Sequence, residues 1–178
     1  RSKSFDTDSY NSGDWFNTVD WTGKTNGLGR GLPPAEKNGG NWPLYRQLLG
    51  NAALKPAPAD TGRAADHYRE MLRVRSSSSL FRMETAAQVQ QGLSFLPAPT
   101  GVIAMRLTGA TSAANPYRTV VAVFNGSADA VTLNDASLRG LTLHPVLAKS
   151  TDPIVRTSKV TGTAATVPAL TTAVFVGK

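Results

Sequence analysis

Residues 119–124, Thr-Val-Val-Ala-Val-Phe, contain no polar side chain after the leading threonine and run straight into Asn125 and Gly126. A short apolar run without alternation, rich in β-branched residues and closed by a turn pair, is the pattern of a strand buried on both faces. It therefore reads as a central strand. Working outward, further short strands are expected at 93–96 and 102–108 on one side, and at 130–133, 141–147, 159–161, 164–167 and 171–176 on the other. Turn residues separate them: Pro97 and Pro99, Asn115 with Pro116, Asn125 with Gly126, Gly140, Asp152 with Pro153, and Gly162. Many short strands at this spacing predict an antiparallel β-sandwich of Greek-key type. Leu141, Leu143 and Val146 around Thr142 and His144 suggest a half-exposed strand. Asn125-Gly126-Ser127 fits the N-glycosylation acceptor pattern, but a hairpin turn explains the Asn-Gly pair without further assumptions.

Upstream of the strands the period changes. Ala64, Ala65, Tyr68, Met71 and Leu72 recur at helical spacing, with Arg63, Asp66, Arg69, Glu70 and Arg73 on the remaining surface. The spacing predicts a helix over 61–75 with Asp60 as its N-cap, after Pro56 and Pro58. Its apolar face needs a partner. His67 beside that face reads as a surface or packing residue rather than a base. Four serines, Ser76 to Ser79, break the pattern; Leu80 and Phe81 read as a hydrophobic clasp to the strands. Thr85 with Gln88 forms a capping-box pair, which predicts a short helix over 86–91.

From Arg1 to about Pro58 no period of 2 or 3.6 persists, so this part is expected to be a long loop. Seven of the chain's thirteen aromatic residues lie in it: Phe5, Tyr10, Trp15, Phe16, Trp21, Trp42 and Tyr45. Disordered segments are poor in aromatics, so the loop is expected to be ordered and functional. Its opening RSKSFDTDSYNSGDWFN mixes rings with short carboxylate, amide and hydroxyl side chains. That mixture suits a sugar, whose apolar face stacks on rings and whose hydroxyls both donate and accept. Candidate sugar-contacting residues are Asp6, Asp8, Tyr10, Asn11, Asp14, Trp15, Asn41 and Trp42, although Trp42 before Pro43 also fits an anchor or a short helical turn.

Composition narrows the functional classes. The absence of cysteine excludes disulfides, thiolate metal sites and cysteine nucleophiles. The net charge of +7 is spread along the chain, with seven basic and five acidic residues over 1–58, five and four over 59–91, and seven and three over 92–178. Without a basic block or a basic helix face, nucleic acid is not an expected partner. There is no apolar run of eighteen residues, and no membrane partner is expected. Glycoside hydrolysis by a retaining mechanism needs two carboxyl groups about 5–5.5 Å apart across the bond. Asp6, Asp8 and Asp14 share one polar loop and do not read as such a pair. Asp6 and Asp8 also lack the spaced oxygen ligands and closing glutamate of a Ca²⁺ loop. No metal site, phosphate-binding glycine loop or serine nucleophile elbow is recognised.

The N-terminal string closely resembles the segment after the eighth barrel strand in pullulanases and limit dextrinases, the debranching glycoside hydrolases of the α-amylase clan. The resemblance continues in family order through GLPPAEKN (31–38), NWPL (41–44) and LFRMETA (80–86 with Ala87 beyond) into the C-terminal strands. It implies a mainly β chain: a C-terminal sandwich at 92–178, preceded at 1–91 by a long loop and one or two helices left from the end of a (β/α)8 barrel. It also implies that the catalytic carboxylates lie upstream, so no catalytic residue is assigned here and the chain alone is expected to be inactive. The parent protein would be a glycoside hydrolase cleaving α-1,6-glucosidic bonds in pullulan, limit dextrin or glycogen. Its partners would be α-glucan and the upstream barrel; Ca²⁺ belongs, if anywhere, to the parent, with no site assigned to this chain. Two departures stand out. Relatives mostly carry Arg where this chain has Thr7, and Asp where it has Gly40, so no sugar contact is assigned at either position. A different class of protein also fits the residues, a non-catalytic carbohydrate-binding β-sandwich. The compartment is left open, because the resemblance places the true N-terminus far upstream.

Overall fold

The computed structural model describes residues 5–6 and 31–178. The chain divides into two compact units, Arg1–Ala65 and Asp66–Lys178. In the first unit, the stretch expected to be a loop contains helix. Helix α1 covers Ala35–Asn38, α2 covers Trp42–Gly50, and single 3-10 turns lie at Gly39–Asn41 and Ala52–Leu54. Two prolines sit where these helices begin, Pro34 just before α1 and Pro43 in the first turn of α2, where a short helical turn is one reading of Trp42-Pro43. There the missing N–H costs nothing and the fixed φ already suits a helix.

Helix α3 spans Pro58–Ser76, three residues earlier than the spacing indicated. Asp60 lies inside its first turn rather than at the N-cap, and its Oδ2 accepts the Ala57 N–H at 2.9 Å. The side buried in the C-terminal unit is also different from the one expected. Glu70 and Val74 are covered, Met71 is half-buried, and Tyr68 and Leu72 remain 66% and 48% exposed. Glu70 was placed on the polar surface by its charge. Its Oε2 instead accepts the Ser150 hydroxyl at 2.6 Å and its Oε1 the Thr151 N–H at 3.0 Å, so a buried carboxylate ties α3 to the loop at 150–152. After a 3-10 turn at Ser79–Arg82, helix α4 covers Ala86–Gly92 with both hydrogen bonds of the Thr85/Gln88 capping box in place.

Strands β1 (Leu93–Leu96), β2 (Val102–Thr108) and β3 (Thr119–Asn125) have the expected bounds, and β4 covers Val131–Asn134. Strand β5 is only Thr142–Leu143 and is followed by helix α5, Pro145–Ala148, where a longer strand was expected. Pro145 cannot donate to a ladder and is well suited to a helix start, while His144 Nδ1 accepts the Val146 N–H as the cap. Strands β6 (Lys159–Thr161), β7 (Ala164–Val167) and β8 (Thr171–Gly177) complete two antiparallel sheets, ordered β1-β2-β3-β8-β5 and β4-β7-β6. The expected β-sandwich is the observed architecture.

Strand β3 lies at the centre of the larger sheet, paired with β2 and β8 along its whole length. Its unbroken apolar run follows from cover on both faces. Val121 and Val123 join Phe175, Leu133, Leu138 and Val167 in the core between the sheets. Val120 and Ala122 point the other way, into a second core closed by Val74, Leu80, Leu147 and Val155 from the helices and turns outside the sheet. Such a strand has no solvent face to require a polar side chain. Phe124, beyond that outer layer, is 42% exposed.

The Asn125-Gly126 pair does not make a hairpin. Strands β3 and β4 belong to different sheets, so the chain crosses the sandwich here. Asn125 is 3% exposed, and its Nδ2 donates to the carbonyls of Asp129 and Pro168, both at 2.8 Å, with Val167 O at 3.4 Å. Its Oδ1 accepts from Ser127 N and Oγ. An amide enclosed in this way is inaccessible to glycosylation.

Candidate functional site

In the first unit a short segment draws together several of the residues singled out from the sequence. Pro33 and Asn38 are buried, and Asn38 Nδ2 donates to Asp6 Oδ1 at 2.9 Å and to Pro34 O at 3.1 Å. The Trp42 indole N–H donates to Pro33 O at 2.9 Å, and the Arg46 guanidinium lies 5.6 Å from the centre of the Trp42 ring. Phe5 stacks on Tyr45 with ring centres 5.6 Å apart and planes at 22°. Phe5 also has φ 61°, a left-handed conformation costly for a bulky side chain and sustained only where surroundings over-determine it. The stacking on Tyr45 and the Asn38–Asp6 bond are such constraints.

Of the candidate sugar-contacting residues, Asp6 and Trp42 are therefore joined to one framework through Asn38 and Pro33. Asn41 is exposed in the 3-10 turn between α1 and α2. Asp8, Tyr10, Asn11, Asp14 and Trp15 lie outside the described residues. Trp42 uses its only hydrogen-bond donor on the chain itself, so what it has left to offer a ligand is ring surface. Asn38, absent from the candidate residues, is the organising side chain. Its signal was its place four residues after Pro34, where one helical turn brings its amide back to the Pro34 carbonyl. Gly40, one of the two departures from the family pattern named above, is exposed, and a Cβ added there would meet nothing within 4 Å. It therefore has room for a side chain.

In the C-terminal unit one serine and one histidine meet. His144 is 1% exposed; its Nε2 lies 3.0 Å from Ser77 Oγ, and Tyr117 packs edge-on at 5.7 Å. Because Nδ1 accepts the Val146 N–H, the proton of the neutral ring sits on Nε2 and points at Ser77. The serine hydroxyl in turn donates to Val74 O at 2.7 Å. The proton order is the reverse of a base-activated nucleophile, in which histidine takes the serine proton. This is a structural network, and burial pushes the His144 pKa down. Its contribution is thus fully present above the ordinary histidine value of about 6.5 and declines as pH falls below it, because there the unfolded chain binds a proton that the folded chain does not. Thermal unfolding of the chain should show a falling Tm between pH 7 and pH 5; a flat Tm across that window would contradict the assignment.

Most of the described carboxylates have partners within the chain. Asp60 accepts from Ala57 N, and Asp66 pairs with Arg69 at 2.9 Å. Glu70 holds Ser150 and Thr151, and Asp152 accepts from Ile154 N. Asp135 accepts from the Ser137 hydroxyl and N–H, which together hold its carboxyl below the usual range. Among the described residues no three histidine, aspartate or glutamate side chains gather as a metal site, and no helix is long and apolar enough to cross a membrane.

Comparison with known proteins gives a consistent result. The family described as alpha-1,6-glucosidases, pullulanase-type, C-terminal, matches residues 23–178. The chain is 39% identical over 194 aligned residues to chloroplastic pullulanase 1 of Arabidopsis thaliana, covering 99% of this chain and 20% of that protein. It is 35% identical over 95 residues to a pullulanase of Klebsiella aerogenes, covering 53% of this chain and 9% of that protein. The maltotriose complex of PulA from Klebsiella pneumoniae superposes with a TM-score of 0.82 at 26% identity, over 100% of this chain and 20% of that one. The chain thus spans about a fifth of the length of the Arabidopsis relative. With a family match over most of its residues and a fold that superposes on PulA over its whole length, this chain belongs to the C-terminal family of pullulanase-type alpha-1,6-glucosidases.

Proposed function

We propose that this chain is the C-terminal part of an enzyme that hydrolyses α-1,6-glucosidic branch points in α-glucans such as pullulan, limit dextrin or glycogen. Residues 1–91 end the catalytic barrel and supply a donor-side substrate loop. Residues 92–178 form a structural sandwich, preceded by α3 as the last barrel helix and by the segment through α4 as the connector. The acid and the nucleophile come from the preceding barrel. One observation carries the reading: the likeness to pullulanases covers 99% of this chain but only 20% of the Arabidopsis protein. Two features agree with it. Asp60, Asp66, Glu70, Asp135 and Asp152 each bond to other groups of the chain and not across a cleft to one another, which does not suit a facing pair for glycoside hydrolysis. Helix α3 covers the sandwich with Glu70 and Val74 while Tyr68 and Leu72 stay exposed, as expected of a helix with a second partner.

The test is to express the complete reading frame and, separately, residues 1–178, and to assay both on pullulan. The complete protein should release oligosaccharides by α-1,6 cleavage, and residues 1–178 should release none. A complete protein inactive on α-1,6 bonds, or an active 178-residue chain, would sink the reading.

A further inference from the structure

Between the turn at Ser79–Arg82 and α4, the connector leaves an open groove of about 540 Å³ beside the end of β2, within the size range of small-molecule sites, roughly 300–1,000 Å³. One wall is the turn at Ser79–Arg82 with Met83 and Glu84, and the other is the C-terminal half of α4 together with Thr108 and Gly109. Both walls are held in place. The capping box fixes Glu84 to Gln88, with Gln88 Oε1 accepting the N–H groups of Glu84 and Thr85. Behind the turn, Ser78 Oγ donates to Asn115 Oδ1, Asn115 Nδ2 donates to Ala110 O, and Ser79 N donates to Ala114 O. Two glycines let the lining pack closely, and at Gly92 a side chain would run into backbone. A Cβ on Gly92 would lie 2.6 Å from Met83 Cε and 2.9 Å from Thr108 O, and one on Gly109 would lie 2.8 Å from Leu80 Cδ2. Leu80 and Met83 are thereby seated directly on backbone, where they form an apolar floor.

The polar groups around this floor identify the kind of ligand. Arg82, the Glu84 carboxylate, Gln91 and the hydroxyls of Ser79 and Thr108 line the groove and make no hydrogen bond among the described residues. One cation and one anion leave the groove close to neutral, so it selects neither phosphate nor a metal ion. Amides, hydroxyls and both charges together offer donors and acceptors side by side, which matches a hydroxyl-bearing ligand, since each hydroxyl does both. The apolar floor matches the C–H face of a hexose ring. We infer that this groove is a second carbohydrate site, separate from the N-terminal loop, that holds a short neutral α-glucan segment. The α-linkage rests on the proposed function; the choice of a neutral sugar rests on the groove alone. Such a site would keep a branched polymer near the enzyme and raise its local concentration.

The experiment is titration of the ¹⁵N-labelled 178-residue chain with maltotriose and maltohexaose. The backbone amides of Gly92 and Gly109 and the side-chain amides of Gln88 and Gln91 should shift saturably. Arg82→Ala with Gln91→Ala should weaken binding by about tenfold or more, through loss of one charge-assisted and one neutral hydrogen bond. Both residues are exposed, so Tm should hold. Absence of saturable shifts at the groove, or binding unchanged in the double variant, would overturn the site. Shifts confined to residues 31–50 would overturn it too while leaving the N-terminal loop as a sugar contact. Equal response to cello-oligosaccharides would overturn the α-glucan assignment. Conversely, groove binding that persists while the complete protein fails on pullulan would refute the proposed function and leave this site standing.

Discussion

Phe175→Ala should destabilise the C-terminal unit by about 3–5 kcal/mol, the range for deleting a fully buried phenylalanine side chain, and lower its Tm by roughly 10–20 °C. The residue has no exposed surface, and on β8 it sits opposite Val121 of β3 and Leu143 of β5. It belongs to the core between the two sheets with Val121, Leu138 and Val167. Val121 and Val167 are pinned in ladders and Leu138 in the 3-10 turn at Ala136–Leu138, so they cannot collapse into the space the ring leaves, and the cavity cost adds to the lost transfer energy. Phe124→Ala is the control. That ring, near the end of the central strand β3 and outside the core between the sheets, is 42% exposed and should cost about 1 kcal/mol or less. Denaturant unfolding of both variants decides the matter; comparable losses at the two positions would mean that the inter-sheet core is not where the stability lies.

Asn125→Asp should be of similar size, about 3–5 kcal/mol at neutral pH, the cost of leaving a buried charge without compensation. The native amide points its N–H groups at the carbonyls of Asp129 and Pro168, and a carboxylate there would face two acceptors with none of its own donors. Asn125→Ala avoids the charge but strands the same carbonyls and the Ser127 donors, and should cost about 2–3 kcal/mol. The order Asp worse than Ala is the informative part. It should narrow as pH is lowered, because a protonated carboxyl regains one donor. If Asp were tolerated better than Ala at pH 7, the amide would not be acting as the donor that joins β3 to the neighbouring sheet.

Asn125 also marks the boundary of what the chain discloses on its own. Read as letters, Asn-Gly after a strand is a hairpin turn, and the same letters serve here as the crossing point between sheets. The two outcomes differ only in which backbone carbonyls come within reach of the side chain, and those belong to Asp129, Val167 and Pro168, the last two more than forty positions away. Glu70 teaches the same lesson. Its charge puts it on the surface until Ser150 and Thr151 arrive from eighty residues downstream with a hydroxyl and an N–H. In the N-terminal unit, local signals were present: Trp42-Pro43 fits a short helical turn by sequence and does start α2, while Pro34 stands just before α1 in a stretch expected to be loop.

By itself the sequence determined the sandwich. The strands 93–96, 102–108, 119–125, 159–161 and 164–167 are set by short-range patterns of β-branched residues and turn residues, and the apolar run at 119–124 had to be covered on both faces because it offers water nothing. The capping box at Thr85 and Gln88 was equally local and equally legible. It also carried the family resemblance, because the rings and short polar side chains of the first loop follow a fixed order along the chain. Only the tertiary structure decided which side of α3 is buried, where β5 gives way to α5, how Asn38 fixes Asp6 while Pro33 holds Trp42, and that a polar groove opens beside β2. Each of these depends on a partner brought near by folding. A helix face or a polar side chain takes its environment from whichever distant group closes on it, and that group has no fixed spacing along the chain from which it could be read.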